Sequence, residues 1–139
     1  MSVWVDPPDA TSRLWAIDLA LRSEACAAVV ADGSALDMHA TRRLQLAAES
    51  GCALAMLARP PREFSWRSAA ALRWKVSPEP SLGEHPRWKV ELVRCKESTG
   101  LTTFGRARRW VVERKHDQGL VGVPAVVADR ATTEKRRSA

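Results

Sequence analysis

A chain of 139 residues, 45% hydrophobic and 27% charged, has the length of one domain and the balance of a globular protein, which excludes wholesale disorder and fibrous repeats. No apolar run approaches the ~20 residues of a membrane-spanning helix, Met1-Ser2-Val3-Trp4 carries no signal-peptide pattern, and three scattered cysteines point to reduced thiols in a cytoplasmic setting. A net charge of +6 and a pI near 9.9 favour a polyanionic partner without requiring one.

Val3-Trp4-Val5 has the composition of a short strand, stopped by Asp6-Pro7-Pro8. Asp9 or Thr11 can cap a helix over roughly residues 10–23, in which Leu14, Ile17 and Leu21 recur at helical spacing. Cys26 to Ala31 is an apolar run without alternation, the pattern of a strand buried on both faces of a parallel sheet. Asp32-Gly33-Ser34 ends it, and a second helix opens near Asp37 with Leu36, Ala40, Leu44 and Ala47 or Ala48 as its buried stripe. Gly51 supplies a left-handed stop. Ala53 to Ala58 is another continuous apolar strand, ended by Pro60-Pro61, and the strand–helix alternation is that of a parallel α/β sheet.

The second half changes period. Leu72 to Val76 and Arg87 to Cys95 alternate with a period of two, which gives each one buried and one wetter face. The proline-rich stretch 77–86 reads as a surface loop, and 96–108, with Gly100 and Gly105, as a mobile connection. Arg109 to Glu113 and Leu120 to Val127 have the pattern of a hairpin around Asp117-Gln118-Gly119. The reading is therefore one α/β domain over 1–128, parallel strands with flanking helices followed by an antiparallel portion, and a polar, disordered tail over 129–139.

Little in the chain carries bond-making chemistry. Gripping nucleotide phosphates takes a glycine-rich loop ending in Lys-Ser or Lys-Thr, and none of the seven glycines has that context. Asp32 stands at the end of a buried strand, where a carboxylate can orient magnesium, but without the phosphate loop it is expected to form a turn with Gly33 or to cap the next helix. His39, His85 and His116 lack metal-ligand spacing, Ser34 completes no nucleophile elbow, and Cys95 between Arg94 and Lys96 reads as a core thiol. No enzyme and no cofactor emerge.

The charge is distributed unevenly: residues 1–58 carry a net −3 and the remainder a net +9. Three tryptophans sit among cations, in Arg73-Trp74-Lys75, Arg87-Trp88-Lys89 and Arg108-Arg109-Trp110. With every Trp on one face of a sheet, Arg73, Lys75, Arg87, Lys89 and Arg109 share the other, where like charges across a ladder repel and a bound phosphate backbone would offset the repulsion. The bland alternative is that the tryptophans are core and the cations reach for water. Arg106, Arg108, Arg109, Arg114 and Lys115 form a second basic cluster and Lys135-Arg136-Arg137 a third, both suited to sequence-independent phosphate contacts.

Several short segments, taken in order, resemble the later two-thirds of the bacterial ImuA family. They are Val3-Trp4-Val5-Asp6-Pro7-Pro8, Leu14-Trp15-Ala16, Ala20-Leu21-Arg22-Ser23, Ala27 to Ala31, Thr41 to Glu49 and Leu57-Ala58-Arg59-Pro60. Arg87-Trp88, Leu92 to Lys96 and Pro124 to Arg130 continue the likeness. The resemblance implies a partial RecA-like core and a non-catalytic accessory role in SOS-induced, error-prone translesion synthesis. It implies as partners ImuB (a Y-family polymerase relative), an error-prone DnaE-type polymerase, RecA and DNA. Family members are longer, and the segment that would precede Val3 holds the first strand and phosphate loop of a RecA-like fold. The resemblance thus implies a split or shortened member or a fragment, and without that segment a sheet edge and a helix-packing face are expected to be uncovered, which favours a homodimer or a complementing polypeptide. Two other readings stay open: a regulator resembling SulA that binds a tubulin-like division protein, and a general DNA-binding module.

Overall fold

The computed structural model describes residues 2–81, 83, 85–96 and 109–114, together with the backbone of 121–126. The chain is mixed α/β, and its backbone divides into two compact units, Met1–Ala70 and Ala71–Ala139, where the sequence reading takes 1–128 as one domain.

In the first unit, helix α1 (Ala10–Arg22) starts at Asp9, whose carboxylate accepts the Ser12 N–H at 2.8 Å. Helix α2 (Met38–Ser50) starts at Asp37, which accepts from the Ala40 N–H at 2.7 Å. Each cap satisfies a first-turn donor that the helix itself leaves unpaired. Strands β1 (Ala28–Asp32) and β2 (Leu54–Ala58) pair in parallel, Ala28 opposite Leu54 and Asp32 opposite Ala58. Helix α1 packs over β1 and α2 over β2, and the helices pack on each other. The core is the one the apolar spacing predicts: Ile17, Leu21, Leu36, Leu44 and Ala47 are buried, with Leu14, Val29, Ala31, Ala40, Ala55 and Leu57 against them.

Three expectations are corrected here. Val3-Trp4-Val5 forms no strand, and its side chains stand 75%, 93% and 63% exposed; three residues without a ladder partner gain nothing over hydration. The two apolar strands are buried on one face only. Val29, Ala31, Ala55 and Leu57 meet the helices, while Val30, Leu54 and Met56 on the other face are 74%, 59% and 53% exposed. Finally, Gly51 is not left-handed (φ −91°); the positive φ that turns the chain into β2 falls on Cys52, at 51°.

The two helices are also joined by charge. Asp18, buried on α1, accepts from Arg43 of α2 at 3.0 and 3.2 Å and from Arg22 one turn along at 3.2 and 3.4 Å. The Arg43 hydrogen bonds, aided by Arg22 and opposed by burial, hold the Asp18 carboxyl below its usual 3.8. A depressed carboxylate contributes stability above its unfolded value and loses it as pH falls through the folded one. Asp18→Asn is therefore expected to destabilise the unit by about 2 kcal/mol at neutral pH, because the arginines are half exposed and partly rehydrate. In urea titrations the gap between the variant and the parent chain should close as pH drops below about 4.

The second unit is an antiparallel sheet in the order β3-β4-β5-β6, with β3 Leu72–Glu79, β4 Arg87–Cys95, β5 Arg109–Arg114 and β6 Val121–Val126. The expected hairpin of β5 and β6 is present; its turn lies outside the described residues. Strand β3 runs three residues past its expected end and takes in Pro78, which an edge strand tolerates because no inner neighbour needs its missing N–H. A bulge at Val93 shifts the register so that Arg73 lies opposite Arg94 and Trp74 opposite Leu92. Among the described residues no helix is long and apolar enough to cross a membrane.

Candidate functional site

Ligands of open parallel sheets bind beyond the carboxyl ends of the strands, so the loops after β1 and β2 come first. Asp32 closes β1 and accepts from the Ser34 N–H and the Ser34 hydroxyl, each at 2.8 Å, and from Arg13 at 2.8 Å. The Ser34 N–H, then its hydroxyl, then the Arg13 charge keep the Asp32 carboxyl below 3.8. The turn partner is thus Ser34, and the next helix is capped by Asp37 instead.

Beyond β2, Glu63 is buried (3% exposed) within the short 3-10 turn Pro61–Glu63. It accepts the Ala35 N–H at 3.0 and 3.1 Å and bonds of 3.1 and 3.0 Å from Arg59. Burial opposes its charged form, yet the Ala35 N–H and Arg59 together hold its carboxyl low. Arg59 also donates to the Leu36 carbonyl at 2.9 Å and lies 5.6 Å from the centre of the Trp66 ring. This cluster was invisible in the sequence; its only trace is the four-residue spacing of Arg59 and Glu63 just beyond an apolar strand. Its acceptors are taken up in holding the loop of Ala35, whose φ is 60°, against the end of β2. Such saturated carboxylates brace a fold and have little capacity left for a ligand. Among the described residues no group of His, Cys, Asp and Glu is arranged to hold a metal ion.

The second place is the basic sheet. Pairing puts Lys75, Arg87, Lys89 and Arg109 on one face, as the alternation predicts. On the opposite face the Trp74 and Trp110 rings lie 5.5 Å apart, inclined at 56°, across Val90 and Leu92. The cations are not left facing one another, however. Lys75 lies opposite Glu91, Arg87 between Glu79 and Glu113, Lys89 between Ser77 and Val111, and Arg109 opposite Glu91. Arg109 reaches Glu91 at 2.9 Å and Arg87 reaches Glu113 at 3.3 Å. Among the described residues Arg73–Arg94 is the one like-charge pair in register.

The expected ladder repulsion is thereby corrected everywhere but at Arg73–Arg94: elsewhere opposite charges in register attract by a few tenths of a kcal/mol per pair, and no bound anion is needed to hold that part of the face together. Arg114 ends β5, exposed, its N–H donating to the Pro86 carbonyl at 3.1 Å. Arg106, Arg108 and Lys115, with the tail cluster Lys135-Arg136-Arg137, lie outside the described residues. The geometry therefore gathers four of the predicted cations on one face and interleaves them with three carboxylates.

No family model and no solved structure matches the chain. Two curated relatives do, both named Protein ImuA and both from Caulobacter vibrioides, strains NA1000 / CB15N and ATCC 19089 / CIP 103742 / CB 15. Each is 36% identical over 123 residues, an alignment that takes in 76% of this chain and 47% of the relative. The chain thus spans about half the length of the curated relatives it matches. On that match the chain belongs to the ImuA family.

Proposed function

We propose that this protein is a non-catalytic accessory factor of SOS-induced, error-prone translesion DNA synthesis, built on a partial RecA-like core. The observation that carries the reading is the 36% identity to Protein ImuA along 76% of the chain. Its mechanism is assembly: docking an ImuB-like polymerase relative and an error-prone DnaE-type polymerase raises their concentration at a damaged template. The cations of the antiparallel sheet add a weak, salt-sensitive contact with DNA, tempered by the carboxylates among them. Two features of the fold support a recruiting role over a turnover role. The carboxylates at the strand ends are committed to local bonds, and apolar side chains stand exposed where a partner can cover them.

The test is co-purification with the ImuB-like protein, together with damage-induced mutation frequency in a deletion strain. The reading predicts a stable complex and a several-fold loss of induced mutations, with normal division on overproduction. Filamentous cells on overproduction would favour the division-regulator reading instead. ATP turnover above background that Asp32→Ala abolishes would overturn the proposal.

A further inference from the structure

At the amino ends of β1 and β2, opposite the Asp32 end of the sheet, two thiols come to one place. The first rung of the parallel ladder joins Ala28 to Leu54, and Cys26 and Cys52 each stand two residues before it. The approaching chains are held together there by their backbones. The Leu54 N–H donates to the Ala27 carbonyl at 2.9 Å, and the Cys26 N–H to the Ser23 carbonyl at 3.1 Å. Gly51 sits so close to the carbonyls of Leu21 and Arg22 that it has no room for a Cβ. Residues 24–27 on one side and 50–52 on the other line a single cleft of about 460 Å³. Both cysteines in it are free; Cys26 is half-buried and Cys52 exposed.

Two features set the pair apart from incidental thiols. Neighbouring strands run about 4.8 Å apart, and a disulfide joins Cα atoms about 4.4–6.8 Å apart, so equivalent positions at the mouth of a parallel ladder suit a link. The second feature is the backbone of Cys52, whose φ is 51°. Glycine adopts that conformation at far less cost, yet Gly51 just before it has an ordinary φ of −91°. The thiol thus occupies a position that backbone preference alone would give to another residue, and strain of this kind gathers at functional positions.

We infer that Cys26 and Cys52 form a dithiol site that reacts with low-molecular-weight disulfides and closes into an intramolecular disulfide. The exposed Cys52, as thiolate, attacks one sulfur of the reagent; the reagent's S–S bond breaks, one thiolate leaves, and a mixed disulfide stays on Cys52. Cys26, as thiolate, then attacks the Cys52 sulfur and expels the second thiolate. The chain gives up two electrons and two protons, and the reagent is reduced to two thiols. The new bond ties the α1–β1 connection to the α2–β2 connection and closes a ring over residues 26–52, which contains β1 and α2. Constraining that loop in the unfolded chain stabilises the first unit. The inference rests on the placement of the thiols and stands or falls apart from the proposed role in lesion bypass.

The test treats the full chain with oxidised glutathione, alkylates the remaining thiols and maps tryptic peptides by mass spectrometry. Peptides 23–42 and 44–62 should be joined through Cys26 and Cys52, in at least tenfold excess over any link to Cys95. In concentrated urea that excess should fall to a few-fold, the preference left by loop length alone. Linking should raise the thermal midpoint by about 5 °C or more, and dithiothreitol should reverse the rise. Cys26→Ser should leave Cys52 as a stable mixed disulfide with glutathione and give no rise. Cys52→Gly, which suits the positive φ, should keep the fold while abolishing both the linked peptides and the rise. Stable mixed disulfides on both thiols of the parent chain overturn the inference, as does a main product linked through Cys95 or a covalent dimer through Cys52. An excess unchanged by urea, or a midpoint that does not rise on linking, overturns it too, since either would show that the native backbone does not present the pair.

Discussion

Gly51→Ala is expected to remove the cooperative unfolding of unit 1 in a chemical denaturation experiment, an effect of at least about 3 kcal/mol. Gly51 follows α2, and a Cβ placed on it would overlap the carbonyl oxygen of Leu21 near the end of α1, with the Leu21 and Arg22 carbonyl carbons at 3.0 and 3.2 Å. All three atoms are backbone, so no rotamer change relieves the contact; α1 itself must move. That displacement would act on Leu21, which is fully buried, and on the grip of Asp18 on Arg43. The opposing benefit, a stiffer unfolded chain, is only about 0.4–1 kcal/mol, so the clash wins. Gly51 is thus required for space and not for its dihedral angles, which at φ −91° and ψ 5° suit any residue. A Gly51→Ala chain that unfolds at the parental midpoint would show that the two helices are not in close contact there.

Leu44→Ala is expected to cost about 3 kcal/mol. Leu44 is 1% exposed and sits on α2 among Ile17, Leu21 and Leu36, where α2 meets α1. The loss joins the transfer energy of the removed carbons to the cavity left by a core too small to collapse fully around it. Among the described residues the buried cluster around Leu44 has five members, so the change takes a large part of a stability that small domains hold narrowly. Leu44→Met, which nearly conserves volume, should cost less than about 1.5 kcal/mol. Equal losses from the two substitutions would argue against a packed site.

What the sequence revealed of this fold follows from what each signal measures. Spacing at Leu14, Ile17 and Leu21, and at Leu36, Leu44 and Ala47, reports which side chains turn to a common side, and both helices and their core came from it correctly. Runs of apolar residues at 26–31 and 53–58 gave parallel strands, but a run records that a face is suited to cover and not that cover is at hand, hence the exposure of Val30 and Met56. The Trp–cation alternation gave the faces of the antiparallel sheet. Register was out of reach, because it depends on the bulge at Val93 and on how far β3 extends past Val76. The clue lay nearby: Glu91 is two residues from Lys89, and Glu113 four from Arg109, so each shares its cation's face. Glu63 and Ala35 meet only through tertiary folding, which no local pattern encodes.

The parallel pairing of β1 with β2 has a kinetic side. Ala28 lies opposite Leu54, so this ladder closes only once the chain between them, all of α2 included, has folded back across the sheet. Strands β3 and β4 are joined by the short segment 80–86 and can zip from their near ends, where Glu79 faces Arg87. Loop-closure entropy falls more heavily on the first arrangement. On refolding from denaturant, the β3–β4 ladder should therefore form its amide protection ahead of β1 and β2, and the speed of unit 1 should be set by the arrival of α2.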